Sequence, residues 1–153
     1  MANAVPTTLR LLDPRLAALL RQTTDPVALY AFAGACARYA LDATRLHDAT
    51  LDEAVAHTRA RTASTGADQL RQAVERLVAR LDTAAFDAQD AFDAGKGPRA
   101  AYETAFAQAR AATAALRCLD PNAMVAAAEA CYEAVHATND ADALVRLAEQ
   151  TLR

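Results

Sequence analysis

The chain has 153 residues and a formal net charge of −3, and 54% of its residues are hydrophobic. This length lets one domain bury a core without metal or disulfide support. The charge is divided unevenly, because residues 1–80 carry ten basic and eight acidic side chains, whereas residues 81–153 carry six and eleven. Neither half is basic enough to indicate nucleic-acid binding, so we expect neither DNA nor RNA as a partner.

The composition predicts an all-α protein. Alanine supplies 43 positions, while isoleucine and tryptophan are absent. Alanine, leucine and arginine favour helices, and the residue types that build strands are scarce. No linker divides the sequence, which indicates a single helical domain over 1–153, in which residues 1–12, ahead of the first helix cap, could be loosely ordered.

The sequence also gives expectations about where the protein works. It shows neither a signal-peptide pattern at its start nor an apolar run of membrane-spanning length, so we expect a cytoplasmic protein that does not contact membranes. Arginine outnumbers lysine fifteen to one, as a high-GC bacterial genome would produce.

Seven helices are predicted, because their starts carry recognisable capping residues. An aspartate N-cap followed by proline recurs at 13–14, 25–26 and 120–121. The other start signals are a capping box at Thr50–Glu53, Ser64 or Thr65 before the fourth helix, Gly97-Pro98 before the fifth, and Asn139 or Asp140 before the last. The predicted ranges, each uncertain by a few residues, are 14–21, 26–45, 51–62, 66–94, 98–118, 121–137 and 141–152. Short connections between them predict a bundle of about six to seven helices with antiparallel neighbours.

The second predicted helix is apolar on every side. Between Pro26 and Leu41 its only charged residue is Arg38. A helix of this kind is expected at the centre of a bundle. Arg38 should then reach solvent along its own stem or, alternatively, pair with a carboxylate, because an unpaired buried guanidinium is costly.

Three cysteines lie among apolar residues of predicted helices: Cys36, Cys118 and Cys131. Their number is odd and their spacing is unlike that of metal ligands. We therefore predict buried free thiols.

The fourth helix, predicted at 66–94, is the longest and carries a heptad pattern. Its seam consists of Leu70, Val74, Leu77, Leu81, Ala84, Ala88 and Ala91. The fifth helix, predicted at 98–118, carries a stripe of Tyr102, Phe106, Ala109, Thr113 and Leu116. Because only Gly95-Lys96-Gly97 separates the two helices, they should form a hairpin. We interpret both stripes as core packing within one chain, with an intermolecular coiled coil as the alternative.

The stretch FDAQDAFDAG, residues 86–95, places aspartates where a helix ends, which the helix macrodipole disfavours. With Leu81 at the centre of the buried arc, Phe92 falls in the core and Phe86 on the far side. Phe86 is therefore either buried against a second layer of helices or an exposed anchor among carboxylates, a composition suited to docking a basic protein. The predicted partner-binding residues are Asp82, Phe86, Asp87, Asp90 and Asp93.

The sixth helix contains a weak candidate for a metal site. Glu133 and His136 have the Glu-x-x-His spacing of di-iron bundles, and Glu129 lies one turn earlier. A second such pair is missing, and helical phase places all three residues at the flank of the buried arc or beyond it. We therefore predict a solvated stripe there, and neither a metal nor another cofactor.

Catalytic motifs are not evident either. Ser64 is the only serine, and the sequence lacks both a nucleophile-elbow motif and a glycine-rich phosphate loop. No family is recognised, because stretches such as CARYAL and VAAAEACYEA are generic helical sequence. We expect a non-catalytic protein-binding or adaptor domain that uses an acidic surface of the fourth helix. The alternatives are a self-associating structural protein, as a homodimer, or an enzyme or small-molecule binder with a pocket between helices.

Overall fold

The structure, a computed structural model, describes residues 6–61 and 67–152. Within these two ranges the chain is an all-α bundle of seven α-helices without strands, which confirms the predicted fold class. A short 3-10 helix at Thr7–Leu11 precedes them. The α-helices are α1 (Pro14–Arg21), α2 (Pro26–Ala43), α3 (Ala49–Arg59), α4 (Asp68–Asp93), α5 (Arg99–Arg117), α6 (Ala123–Thr138) and α7 (Ala141–Thr151). None of the helices in these ranges is both long and apolar enough to cross a membrane.

Two of the three predicted aspartate-proline caps begin helices as expected. The carboxylates of Asp13 and Asp25 each accept a hydrogen bond from the backbone amide two residues later. The third prediction is wrong by two residues, because Asn122 caps α6 by accepting from the amide of Val125 at 3.0 Å. The carboxylate of Asp120 instead accepts from the amide of Asn122 at 2.8 Å, so it orders the turn before the helix.

The remaining predicted caps have different outcomes. Helix α3 is capped by Asp48, whose carboxylate accepts from the amide of Thr50 at 2.8 Å, so the predicted capping box at Thr50 is wrong. The predicted cap of α4 at Ser64 or Thr65 lies outside the described residues. Asp140 caps α7 and accepts from the amide of Ala143 at 3.0 Å, which confirms one of the two predicted alternatives.

Helix α2 occupies the centre of the bundle, as its apolar sequence predicts. It packs against α3, α5, α6 and α7, and its Phe32 is fully buried. Arg38 lies at the edge of this packing and pairs with Asp42 at 3.0 Å and with Asp52 of α3 at 2.8 Å. Arg38 therefore pairs with carboxylates, which was the predicted alternative to extension into solvent along its own stem.

Alanine forms much of the packing between α5 and α6. The buried alanines of these two helices are Ala109, Ala111, Ala112, Ala114, Ala115, Ala126, Ala127, Ala128, Ala130 and Ala134. A single methyl group on each residue lets neighbouring helix backbones approach closely. This part of the core therefore holds few large side chains, and of the four phenylalanines in the chain only Phe32 is buried.

The three cysteines are buried and free, as predicted. The thiol of Cys118 donates to the carbonyl oxygen of Ala33 at 3.1 Å. Burial raises the pKa of Cys118 to about 12, and it also raises the pKa of Cys36 well above its usual value. Because the thiolate is the reactive form, these thiols should be inert in the folded protein.

The predicted hairpin of α4 and α5 is confirmed, and its turn has a recognisable helix-ending geometry. Gly95 adopts a left-handed φ of 72°, and the amide of Lys96 donates to the carbonyl of Ala91 at 2.7 Å. This is the Schellman arrangement, in which glycine is the residue that adopts the left-handed conformation without strain. The connection between the helices runs over residues 94–98, two residues longer than the predicted turn of Gly95-Lys96-Gly97.

Substitution of Phe32 tests the central position of α2. Phe32→Ala should lower the free energy of unfolding by about 3–5 kcal/mol, because it opens a cavity in the core. The matched control is Val27→Ala on the same helix, where the side chain is 59% exposed and the change should stay within about 0.5 kcal/mol. Denaturant unfolding measures both variants, and similar losses in the two would contradict the assignment of α2 to the centre.

Candidate functional site

The outer halves of α4 and α5 extend past the rest of the bundle as a two-helix arm, which we define as residues 83–107. At 1.5 Å per residue, α4 is about 39 Å long, whereas the central α2 is about 27 Å long. The ends of α2 and α6 line a groove together with Glu103, Thr104 and Ala107 of α5. Ala85 is the only buried residue of the arm, so its two helices pack mainly on each other.

The buried side of α4 differs in part from the predicted heptad seam. Val74, Val78 and Ala85 are its buried residues, whereas Ala84, which was assigned to the seam, is exposed. The prediction that Phe92 belongs to the core is also wrong, because its side chain is 38% exposed. In the described part of the chain, no residue of the arm beyond Ala85 is buried, so a residue that faces α5 there still contacts solvent.

Arg110 of α5 joins three helices at the base of the arm. Its Nη2 lies 3.2 Å from the carboxylate of Asp82 in α4, and its Nη1 lies 3.1 Å from the carboxylate of Glu133 in α6. The guanidinium carbon lies 5.6 Å from the ring centre of Phe106, within the range of a cation–π contact. Of the predicted partner-binding residues, Asp82 is therefore already engaged within the chain. Nothing in the sequence pattern singles out Arg110 except its position one turn after Phe106.

Glu133 is buried, with only 6% of its surface exposed, so the prediction that it belongs to a solvated stripe is wrong. Burial raises the pKa of its carboxyl, and the positive charge of Arg110 acts in the opposite direction. The sequence alone hides this position because its partner comes from another helix. An ion pair in this setting offsets the cost of removing the carboxylate from water.

The other two weak metal candidates lie in different surroundings. Glu129 accepts a hydrogen bond from the hydroxyl of Thr8. His136 is exposed, and its ring centre lies 4.3 Å from that of Tyr132. Across 6–61 and 67–152, no three His, Cys, Asp or Glu side chains are grouped so that they could hold a metal ion. Glu129, Glu133 and His136 are therefore not gathered into a ligand set.

One side of the arm carries exposed aromatic residues at the same level. The contact between Asp82 and Arg110 sets the antiparallel register of α4 and α5. One turn further out on each helix come Phe86, which is 66% exposed, and Phe106, which is 42% exposed. The interpretation of Phe86 as a buried residue is therefore wrong, and the alternative of an exposed side chain holds.

The aromatic row continues towards the tip of the arm. The ring of Tyr102 lies 6.2 Å from that of Phe106 and 6.4 Å from that of Phe92, measured between ring centres. These distances are typical of interacting aromatic pairs. Phe86, Phe92 and Phe106 together account for three of the four phenylalanines in the chain, and all three are exposed.

The carboxylates of the arm divide between two sides of α4. At 100° per residue, Asp90 and Asp93 lie within about 40° of Phe86, whereas Asp87 lies about 100° away. All three are exposed, and within the described part of the chain none of their side chains forms an ion pair or a hydrogen bond. The arm carries four acidic and two basic side chains, a net charge of −2.

A groove of ≈ 580 Å³ lies between the base of the arm and the ends of α2 and α6. The amide of Gln108 donates to the carbonyl of Thr44 at 3.2 Å, and the hydroxyl of Tyr39 donates to Asp140 at 2.9 Å. These lining groups are thus engaged within the chain. The groove is open to solvent, whereas a small-molecule site usually encloses most of its ligand.

Comparisons of the chain with protein-family models, with curated proteins and with solved structures give no match.

Replacement of Arg110 by methionine tests the joint at the base of the arm. Arg110→Met should lower the free energy of unfolding by about 1–3 kcal/mol at neutral pH, because Glu133 would remain buried without its partner. The matched control is Arg99→Met, which breaks an exposed pair with Glu103 and should change little.

The loss of unfolding free energy in Arg110→Met should also become smaller in acid. Burial already raises the pKa of Glu133, and the loss of the Arg110 charge would raise it further. A carboxyl whose pKa is higher in the folded state destabilises the fold when charged, and this loss is relieved as the pH falls through the folded pKa. Unfolding measured from neutral pH towards the usual glutamate pKa of 4.5 checks this, and a deficit independent of pH would contradict the assigned role of Glu133.

Proposed function

We propose that this chain is a non-catalytic protein-binding domain and that the arm is its binding surface, for a partner with a basic surface. One observation carries the proposal: three of the four phenylalanines lie on the arm, and all three are exposed. Aromatic residues supply much of the binding energy at protein interfaces when a partner covers them. Phe92 and Phe106 also contact Tyr102 within the arm, whereas no ring contact of Phe86 is found among the described residues, so a binding role explains the exposure of Phe86 better than a packing role.

The carboxylates of the arm support the charge assigned to the partner. Asp90 and Asp93 flank Phe86 at the C-terminal end of α4, where the helix dipole makes a negative charge unfavourable by a few tenths of a kcal/mol. Free carboxylates around an apolar centre attract a basic surface during encounter and repel acidic ones. Their position is thus costly for the helix and useful for binding.

Self-association is the second candidate function, because the same aromatic face could pair with a second copy of the chain. Each arm carries a net charge of −2, so two copies would bring like charges together. This repulsion favours a different, basic partner. The two proposals differ in the oligomeric state of the purified chain, which sedimentation measures directly.

Phe86 gives the sharpest test of the binding surface. Phe86→Ala should leave the melting temperature nearly unchanged, because its side chain is exposed, but should abolish recovery of the partner from the native host. Val27→Ala is the matched control, since it removes an apolar side chain of similar exposure away from the arm and should retain the partner. A partner recovered equally by both variants would contradict the proposal, as would a stability loss of several kcal/mol in Phe86→Ala.

Charge removal tests the role of the carboxylates separately. Asp90→Asn combined with Asp93→Asn should slow association with the captured partner and flatten its salt dependence, because steering depends on those charges. The melting temperature should stay equal or rise slightly, because repulsion with the helix dipole is relieved. Glu75→Gln, an exposed position on the inner half of α4, is the control. Equal effects on the association rate in both variants would contradict local steering by the arm.

A further inference from the structure

The shape of the arm limits the kind of segment that can bind to it. Its surface is formed by two antiparallel helices whose backbone groups are bonded within each helix, so an extended strand finds no free sheet edge with which to pair. A third helix, in contrast, can place its side-chain ridges in the groove between two helices. The arm is therefore suited to a helical partner segment.

We propose that the partner segment is an amphipathic helix with basic residues at one end, and that it lies along the arm and completes a three-helix unit. This inference rests on the proposed function of the arm as a binding surface. The face from Asp82 to Asp93 covers about three helical turns, or roughly 16 Å. Apolar residues at positions i, i+3 or i+4, and i+7 of a bound helix would span about 10 Å of this length, enough to cover Phe86 and Phe106 at their common level.

The chemistry of the face changes along its length and so fixes the direction of the bound helix. At the inner end, the carboxylate of Asp82 is paired with Arg110, which it shares with the buried Glu133. The exposed rings of Phe86 and Phe106 lie in the middle. Beyond them the face becomes acidic, so the basic end of the partner helix lies towards the tip of the arm.

The balance of charges near the tip agrees with this direction. On the side of the arm that carries Phe86, Asp90 and Asp93 contribute two negative charges, and Lys96 in the turn contributes one positive charge. Arg99 and Glu103 form an ion pair with each other at 3.1 Å and contribute no net charge. The outer end of this side therefore carries a balance of −1, to which lysine or arginine side chains of a partner are complementary.

Selection from a displayed library of random peptides, about five helical turns long, tests this inference with the intact chain as bait. We expect enriched peptides with apolar residues at helical spacing and lysine or arginine at one end. The chain contains no tryptophan, so a tryptophan placed in an enriched peptide reports binding by fluorescence without background from the protein. Circular dichroism should show that the peptide gains helix on binding.

Variant baits separate the possible outcomes. Val27→Ala should bind the enriched peptides like the wild type, Phe86→Ala should bind them about tenfold more weakly, and Asp90→Lys with Asp93→Lys should disfavour basic-ended peptides. Peptides that bind Phe86→Ala as tightly as the wild type would overturn the proposed function itself. Peptides that need Phe86 but are extended, proline-rich or acidic would overturn only the helical partner, as would a selection that enriches no peptide.

Discussion

Close packing through alanine is the constraint on which the rest of this structure depends. Helices α5 and α6 meet largely through methyl groups, so their backbones approach closely and leave little volume for large side chains. Each alanine buries little apolar area, so stability must come from many contacts along long helices. The body of the bundle holds only one of the four phenylalanines, and the other three lie on the arm.

A charged joint connects this alanine-rich body to the arm. Arg110 reaches Asp82 of α4 on one side and the buried Glu133 of α6 on the other, so the root of the arm is tied to the body by electrostatic contacts. Salt and water weaken such contacts less when one partner is buried, as Glu133 is. Arg110 therefore helps to hold the arm in its position on the body. The same residue lies one turn from the exposed ring of Phe106.

The sequence predicts the helices well because their signals are local. Asp13 and Asp25 each satisfy an amide of their own first turn, and Gly95 ends α4 through its own backbone conformation. Burial is harder to predict because it depends on neighbouring helices. In an alanine-rich helix the pattern hardly distinguishes Ala84 from Ala85, and a shift of one residue rotates the inferred buried side by 100°.

Errors at the candidate site have the same origin. Phe92 faces α5, as helical phase predicts, but it stays partly exposed because none of the described helices covers its outer side. Glu133 carries a charge that normally marks a solvent-exposed position, yet α5 supplies the guanidinium that permits its burial. For Phe86, the sequence left two clear alternatives, a buried or an exposed side chain, because its position opposite the buried arc follows from helical phase alone.

The positions of the thiols allow opening of the body to be distinguished from separation of the arm helices. Cys36, Cys118 and Cys131 all lie in the body of the bundle, and the arm contains none. Separation of the arm helices would leave these sulfurs covered, whereas opening of the body would expose them to a thiol reagent. Alkylation kinetics would thus follow only the opening of the body, while hydrogen exchange along α4 and α5 would also register fraying of the arm.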